Sequence, residues 1–144
     1  MNVEAILKRK GTQVTTIAPD ATVSAALDLL RAKAIGAVVV SADGSAPDGI
    51  LSERDIVRGL ANHGASLLDQ RVSQVMTRNV ITCSPHDKIA DLMGLMTERR
   101  IRHLPVMRQG RLAGIVSIGD VVKNRLDEIE FEADSLKTYI AGVQ

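Results

Sequence analysis

The chain contains one stretch twice, and this duplication limits the folds that it can adopt. GILSERD occupies residues 49–55 and GIVSIGD occupies residues 114–120, with glycine, serine and aspartate at matching places. Other residues repeat at a spacing of 66, among them Thr16 with Thr82 and Pro19 with Pro85. A repeat period of about 65 residues indicates two copies of one supersecondary unit. The chain is therefore expected to contain two similar halves with two similar sites.

Each half predicts the element order β-α-β-β-α, from the alternation of buried-strand runs with apolar residues at helical spacing. In the first half these elements are a strand at 14–17, a helix from Thr22 that Gly36 ends, strands at 37–40 and 49–51, and a helix from Ser52 to about Leu60. In the second half they are a strand at 80–82, a helix across 89–96, strands at 104–107 and 112–116 joined by a tight turn at Gln109-Gly110, and a helix from Ser117.

The segments outside this pattern are short. Residues 3–10 predict a helix that Gly11 ends, residues 62–66 (NHGAS) read as a loop, and residues 72–76 offer an apolar patch or helical turn. The expected boundaries are an N-terminal helical segment at 1–13, a first repeat at 14–67, a second repeat at 68–125 and a C-terminal helix at 126–144.

The C-terminal segment carries an apolar stripe whose members are three or four residues apart: Leu126, Ile129, Ala133, Leu136 and Ile140. This spacing suits a helix that packs back on its own domain. It equally suits a helix that contacts a second copy of the chain, since partner helices meet at such a and d positions. Fewer than three heptads leave both alternatives open.

Composition excludes several functions. Hydrophobic residues make up 45% of the chain and charged residues 24%, which is typical of a globular protein. The net charge of +1 predicts neither a nucleic-acid partner nor binding to an anionic membrane. No segment resembles a signal peptide or approaches the ~20 apolar residues of a membrane span, so a cytoplasmic location is expected. The histidines share no metal-ligand spacing, and no metal site is expected.

The duplicated unit, the two Thr-x-x-Pro openings, RRIRHLPV at residues 99–106 and the two Gly-h-x-Ser-x-x-Asp stretches (h, a hydrophobic residue) together resemble a tandem pair of CBS domains. The resemblance covers residues ~14–125. It implies an α/β (α+β) fold of two βαββα repeats related by a pseudo-two-fold axis, with a short N-terminal and a longer C-terminal helix. It also implies a regulatory module without catalysis of its own, which acts on a protein partner and forms a homodimer.

The resemblance further implies an adenosine-containing ligand between the repeats, namely AMP, ATP or NAD, with S-adenosylmethionine less favoured. In that family each cleft is built crosswise from both repeats. Carried over, cleft one contains Ser52, Arg54, Asp55, Thr82, Arg102 and His103. Cleft two contains Thr16, Gly36, Ala37, Ser117 and Asp120.

These residue types suit a nucleotide. An ionised aspartate only accepts hydrogen bonds and can take the hydroxyls of a ribose. A serine at a helix start lies beside free backbone N–H groups that attract phosphate. Because guanidinium groups bind phosphate in a bidentate way, Arg102 favours a phosphorylated ligand in cleft one. Cleft two, with Gly36 and Ala37 at the same place, is expected to take a neutral nucleoside or stay empty.

A second interpretation needs no ligand. Ser-x-x-Asp at a helix start is close to a capping box, in which the serine and the acid bond to each other's backbone N–H groups. The chain would then be an oligomerising adaptor whose two Ser-Asp pairs, at Ser52 and Ser117, only stabilise helix starts.

Overall fold

The computed structural model describes residues 1–143, so the last residue of the predicted C-terminal helix, Gln144, lies outside the described residues. The helices are α1 (Val3–Lys10), α2 (Val23–Lys33), α3 (Glu53–His63), α4 (Val72–Val75), α5 (Ile89–Arg99) and α6 (Ile118–Val143). The strands are β1 (Thr16–Ile17), β2 (Ala37–Val40), β3 (Gly49–Ser52), β4 (His103–Arg108) and β5 (Arg111–Ser117), and Gly64–Asp69 forms a 3-10 helix. The predicted mixed α/β architecture with helices at both ends is confirmed.

Two small sheets carry the repeats. In the first, β1 pairs with β2 in parallel and β2 pairs with β3 antiparallel. In the second, β4 and β5 form an antiparallel hairpin. Gln109 and Gly110 both have positive φ at its turn, +51° and +75°, which is the backbone twist that two-residue hairpin loops favour. The predicted hairpin is confirmed.

The predicted strand at 80–82 is wrong. The chain pairs with β4 at a single residue, Cys83, whose N–H donates to Pro105 O and whose carbonyl accepts from the Met107 N–H. Ser84 already begins a turn closed by Asp87, and this turn removes the next residues from the ladder. The strand predicted at 14–17 is likewise short, since only Thr16–Ile17 pairs.

The loop predicted at 62–66 is also wrong. Helix α3 continues to His63, and the chain then turns at Gly64, where φ is +62°, into the 3-10 helix. Leu67 holds this turn down because its side chain is fully buried against Gly59 of α3. One buried apolar side chain, that of Leu67, thus stabilises a helical turn in the segment that was predicted to be a loop.

The short helices cross over between the repeats. Helix α1 precedes the first repeat but packs on the second, where the Val3 N–H donates to Asp87 O at 3.0 Å. Helix α4 precedes the second repeat but packs on the first, where the Val72 N–H donates to Ala21 O at 2.8 Å. The two contacts are equivalent, because Ala21 and Asp87 hold the same place in the repeat. Each repeat therefore completes its core with the short helix that precedes the other repeat.

The apolar interior is divided accordingly into two clusters. One contains α1 residues with residues of the second repeat, and the other contains first-repeat residues with Val72 and Met76. Leu7 lies over Gly114 in the first cluster as Met76 lies over Gly49 in the second. These two glycines allow each short helix to approach its strand closely.

Helix α6 runs without a break from Ile118 to Val143. Val121 and Asn124 are buried against the body, but most of the predicted apolar stripe is not. Leu126, Ile129, Leu136 and Ile140 are each 45–59% exposed. The stripe therefore does not pack on its own domain. Among residues 1–143, none of the helices is long and apolar enough to cross a membrane.

The close contact at Gly49 predicts a measurable loss of stability. A Cβ at this position would lie 2.5 Å from Met76 Sδ and 2.9 Å from the backbone oxygen of Thr77. Gly49→Ala is expected to lower the free energy of unfolding by about 1–3 kcal/mol in urea denaturation, because overpacking displaces the backbone. Gly94→Ala is the matched control. An added Cβ there meets open space on α5, and a gain of about 0.5–1 kcal/mol is expected. Equal stability of the two variants would contradict the packing described.

Candidate functional site

A cleft of about 670 Å³ lies between the two repeats. One wall is the junction between β3 and α3 in the first repeat, where Ser52 and Asp55 stand. The opposite wall is the turn between α5 and β4 in the second repeat, residues 99–103, with Ile118 in the same lining. Thr77 also lines the cleft and stands beside β3, where it pairs with Ile50. Both repeats are thus needed to form the cleft.

Asp55 is fixed by a capping box. Its Oδ2 accepts from the Ser52 N–H at 2.9 Å and from the Ser52 hydroxyl at 3.1 Å, while the Asp55 N–H donates to Ser52 Oγ. Strand β3 ends at Ser52, so these bonds satisfy backbone groups that the first turn of α3 would leave unpaired. The capping interpretation is therefore correct as a description of the geometry.

The other oxygen of Asp55 has a partner outside the cap. Asp55 Oδ1 accepts from the Thr77 hydroxyl at 3.1 Å. A carboxylate offers about four acceptor positions. The cap therefore leaves acceptor capacity on Asp55, and the Thr77 hydroxyl uses part of it.

The opposite wall is shaped by the end of α5. Arg100 takes a left-handed conformation with φ +55°, as Ala34 does with φ +53° at the equivalent end of α2. The turn presents Arg100 O to the cleft, where it accepts from Arg54 Nη1 at 3.1 Å. This hydrogen bond joins the two repeats directly across the cleft.

The cleft is strongly basic. Five arginines line it against two carboxylates, those of Glu53 and Asp55, and the arginines are Arg54, Arg58, Arg99, Arg100 and Arg102. The side chains of the first two stand one turn apart on α3 and the others stand on the facing turn. Guanidinium groups on both walls favour an anionic ligand that spans the repeats.

His103 lies where the two repeats meet. Its ring is 3.5 Å from the place where a Gly36 Cβ would stand, and in the β4–β5 ladder it is paired with Ser117. Burial lowers the pKa of His103 below its ordinary value of 6.5, the charge of Lys10 acts in the same direction, and Glu53 and Asp120 oppose them. The imidazole is therefore neutral at physiological pH.

Asp120 has the same capping geometry, but its capping oxygen also contacts a cation. Its Oδ2 accepts from the Ser117 N–H at 2.9 Å and from Lys10 Nζ at 2.7 Å. Partial burial alone would raise the pKa of Asp120, but the hydrogen bond from Lys10 and that from the Ser117 backbone outweigh burial and lower it. Asp120 is thus an ionised acid paired with a cation.

The structure brings together most of the residues expected in cleft one. Ser52, Arg54, Asp55, Arg102 and His103 all line the cleft. Thr82 does not, because it is exposed and follows a segment that forms no strand.

The residues expected in cleft two are more scattered. Gly36 lines cleft one, and Ala37 is buried in β2 opposite Ser52. Thr16 is half-buried beside Val39. Only Ser117 and Asp120 lie together, in the cap of α6.

Sequence reasoning missed Thr77 and Arg58 and gave little weight to Arg99 and Arg100. Arg58 could have been found, since it stands three residues after Asp55 and therefore on the same helix face. Thr77 had no such signal, because its position depends on a pairing with Ile50 far along the chain.

Metal binding and thiol chemistry have little support in the part of the chain that the structure describes. Within the described part of the chain, no group of three or more His, Cys, Asp or Glu could hold a metal ion. Burial, followed by the charge of Asp87, raises the pKa of the Cys83 thiol to about 12. This thiol therefore stays protonated and is a poor nucleophile.

A family model described as the CBS domain matches residues 3–62 and again residues 72–127. The chain belongs to the CBS-domain family. It is 39% identical over 127 residues to the mitochondrial CBS domain-containing protein CBSX3 of Arabidopsis thaliana, covering 85% of this chain and 62% of that relative. The chain thus spans less than two thirds of the length of CBSX3. Members of the CBS-domain family are typically regulatory.

Solved structures of CBS-domain proteins have the same fold. The CBS-domain protein ATU1752 of Agrobacterium tumefaciens superposes with a TM-score of 0.84 at 49% identity, covering 87% of this chain and 99% of that one. The CBS domain pair of MJ0100, solved with 5′-methylthioadenosine and S-adenosyl-L-methionine, superposes with a TM-score of 0.77 at 23% identity over 89% of this chain and 98% of that one. The second likeness concerns the fold alone.

The half-buried His103, whose pKa is lowered by desolvation, predicts a dependence of stability on pH. The unfolded chain binds a proton near pH 6.5, whereas the folded chain binds it only at lower pH. The free energy of unfolding should therefore fall as the pH drops below 6.5, down to the folded pKa. Denaturation between about pH 7 and pH 5, above the range where carboxylates titrate, should show a weaker slope in His103→Gln. Exposed His86→Gln should keep the wild-type slope, and equal slopes in all three proteins would contradict the burial of His103.

Proposed function

We propose that the protein is a non-catalytic regulatory module that binds an adenine nucleotide in cleft one. The observation that carries the proposal is the position of Asp55, an aspartate held at a helix start, across the cleft from an arginine-rich turn. One wall offers acceptors for ribose hydroxyls, and the other offers guanidinium groups for phosphate.

The binding mode follows from the contacts of Asp55. A ribose hydroxyl would replace the Thr77 hydroxyl at Asp55 Oδ1, exchanging one neutral donor for another at little cost. The phosphates would then extend toward Arg100 and Arg102, where backbone and side chain already face the cleft. The apolar side chains of Ile50, Ile101 and Ile118 in the same lining would contact the adenine ring.

Charge favours AMP, ATP or NAD over other adenosine compounds. The MJ0100 domain pair was solved with two adenosine-containing ligands, which supports an adenosine group here. S-adenosylmethionine carries a sulfonium cation, however, and five arginines would repel it. Phosphate-bearing ligands are therefore the preferred class.

Ligand binding would signal by moving the repeats. The Arg54–Arg100 hydrogen bond joins them across the cleft, and a nucleotide that binds both walls would replace it with its own contacts. A ligand shifts such an equilibrium only as far as its affinities for the two arrangements differ. The protein that receives this signal would be a separate partner.

The expected cytoplasmic location and the lack of nucleic-acid and membrane partners stay predictions, and the Arabidopsis relative is named as mitochondrial.

We also infer a homodimer formed through α6. The exposed stripe of Leu126, Ile129, Leu136 and Ile140 follows a heptad pattern on a helix that leaves the body. Most of the stability of helices in proteins comes from packing of an apolar face, so a partner helix would stabilise the exposed part of α6.

Charge complementarity selects a second copy in parallel register as the partner helix. Parallel coiled coils pair each g position with the e position five residues later on the other helix. Here those pairs are Arg125 with Glu130 and Glu132 with Lys137, and both are attractive. Two copies of this chain therefore supply matching apolar and charged surfaces.

The alternative, a ligand-free oligomerising adaptor, is favoured by one observation. Both Ser-Asp pairs form complete caps without any ligand, as the hydrogen bonds at Ser52 and Ser117 show. A thermal-shift screen separates the two functions. A nucleotide at 100 times its Kd should stabilise a true binder by about 2.7 kcal/mol, whereas the adaptor would show no shift.

The assignment of cleft one predicts the effect of two substitutions. Asp55→Ala and Arg102→Ala should each weaken binding of AMP, ATP or NAD more than tenfold, about 1.4 kcal/mol or more, in titration calorimetry. Arg102→Ala leaves the cap intact and so separates binding from stability. Arg111→Ala is the control, since this arginine belongs to the same basic stretch but is exposed on β5 outside the cleft. Unchanged affinity in both cleft variants would contradict the assignment of cleft one as the nucleotide site.

The dimer has its own test. Leu136→Lys places a charge in the stripe and should convert a dimer into monomers in analytical ultracentrifugation. Phe131→Lys is the control, because Phe131 is 73% exposed on α6 but stands outside the stripe. A monomeric wild type, or a dimer that survives Leu136→Lys, would show that the stripe is not the interface.

A further inference from the structure

The two aspartates of the repeated motif meet different groups, and the difference can be traced to the short helices. In the first repeat the chain leaves α4 and pairs with β3. The Thr77 N–H donates to Ile50 O at 2.9 Å, and the Thr77 hydroxyl donates to Asp55 Oδ1 at 3.1 Å. One residue thus contacts both the strand and the acid through neutral donors.

In the second repeat one ammonium group makes both of these contacts. Lys10 Nζ donates to Ile115 O at 3.0 Å and to Asp120 Oδ2 at 2.7 Å. Ile115 stands 65 residues after Ile50, and Asp120 stands 65 residues after Asp55. Lys10 therefore contacts the same strand carbonyl and the same acid as Thr77 does, but it bonds the capping oxygen, Oδ2, where Thr77 bonds Oδ1.

The length of the helix explains the exchange. Helix α4 has four residues, so the chain is extended when it reaches β3. Helix α1 has eight residues, and Leu7 is buried over Gly114, so the last turn of α1 continues past β5 and carries Lys10 to Asp120. Gly11, with φ +95°, ends the helix immediately afterwards.

We propose that Lys10 closes the nucleotide-binding face of the second repeat by occupying Asp120, so that the chain binds fewer nucleosides than its two motifs allow. The proposal rests on the proposed function, since it takes Asp120 as the counterpart of a ribose acceptor. It makes Lys10 a specificity-determining residue that lies outside both copies of the motif.

The chemistry of the two exchanges differs. At Asp55 a ribose hydroxyl replaces another hydroxyl. At Asp120 it would have to replace an ammonium group, and charge-assisted hydrogen bonds are roughly twice as strong as neutral ones. The lowered pKa of Asp120 agrees with a carboxylate whose charge Lys10 helps to stabilise. The Lys10 and Asp120 side chains are only 39% and 26% exposed, which limits screening by water.

Removal of the ammonium group should therefore open the second face. Adenosine is the probe, because Gly36 and Ala37, the residues of the first repeat that match Arg102 and His103, carry no cation for a phosphate. Titration calorimetry on the full chain should show one more adenosine bound per chain in Lys10→Met than in the wild type. Lys10→Gln, which keeps a polar group, serves as a second variant.

Two further variants make the test specific. Arg9→Met removes the neighbouring ion pair between α1 and Asp127 of α6, 3.0 Å long, without touching Asp120, and should leave the stoichiometry unchanged. Asp120→Asn added to Lys10→Met should abolish the extra site. A folded Lys10→Met that binds no more adenosine than the wild type would overturn the proposal, and so would weaker binding in this variant.

The experiment distinguishes a failure of the proposed function from a failure of this inference. If the wild type binds no adenosine and no adenine nucleotide, cleft one is not a nucleotide site. An extra site that appears in Lys10→Met would still show that Lys10 closes the second face. The change in stoichiometry tests Lys10, and binding to the wild type tests cleft one.

Discussion

Each repeat depends on one junction, at which a strand ends and a helix begins around a Ser-Asp pair. In the first repeat, the bonds between Ser52 and Asp55 satisfy the helix start and hold the carboxylate toward the opposite repeat. The same atoms therefore cap the helix and present an acceptor. Since a carboxylate can accept about four hydrogen bonds, capping and ligand binding do not exclude each other. The bonds that give the helix its start also preorganise the candidate site.

The cleft exists because neither repeat is self-sufficient. Helices α1 and α4 each complete the core of the other repeat, so the two cannot separate without exposing apolar surface. The facing turns are then close enough for Arg54 to reach Arg100 O. The short helices anchor the two repeats at their edges, and polar contacts join the repeats at the centre. These central polar contacts are the ones that a ligand can exchange for its own.

The elements that could be predicted from the sequence are those governed by local pattern. The helix from Ile89, the hairpin at Gln109 and the cap at Ser52 follow from periodicity, turn chemistry and capping. Thr82 was expected in the cleft but does not line it, and a matching position in the repeat does not say which residue reaches the cleft. Thr77 stands there instead through a pairing with Ile50, and no local pattern encodes that pairing.

The most informative failure of prediction concerns charge. The match of Gly36 and Ala37 with Arg102 and His103 predicts from the sequence that the two faces differ, but it does not reveal the cation at Asp120. Lys10 reaches that aspartate because α1 is four residues longer than α4, a difference that leaves every motif residue unchanged. A duplicated motif thus defines where each helix begins and which group its aspartate presents. The partner of that aspartate depends on the length of a helix from the other end of the fold, so two equal motifs can form two unequal sites.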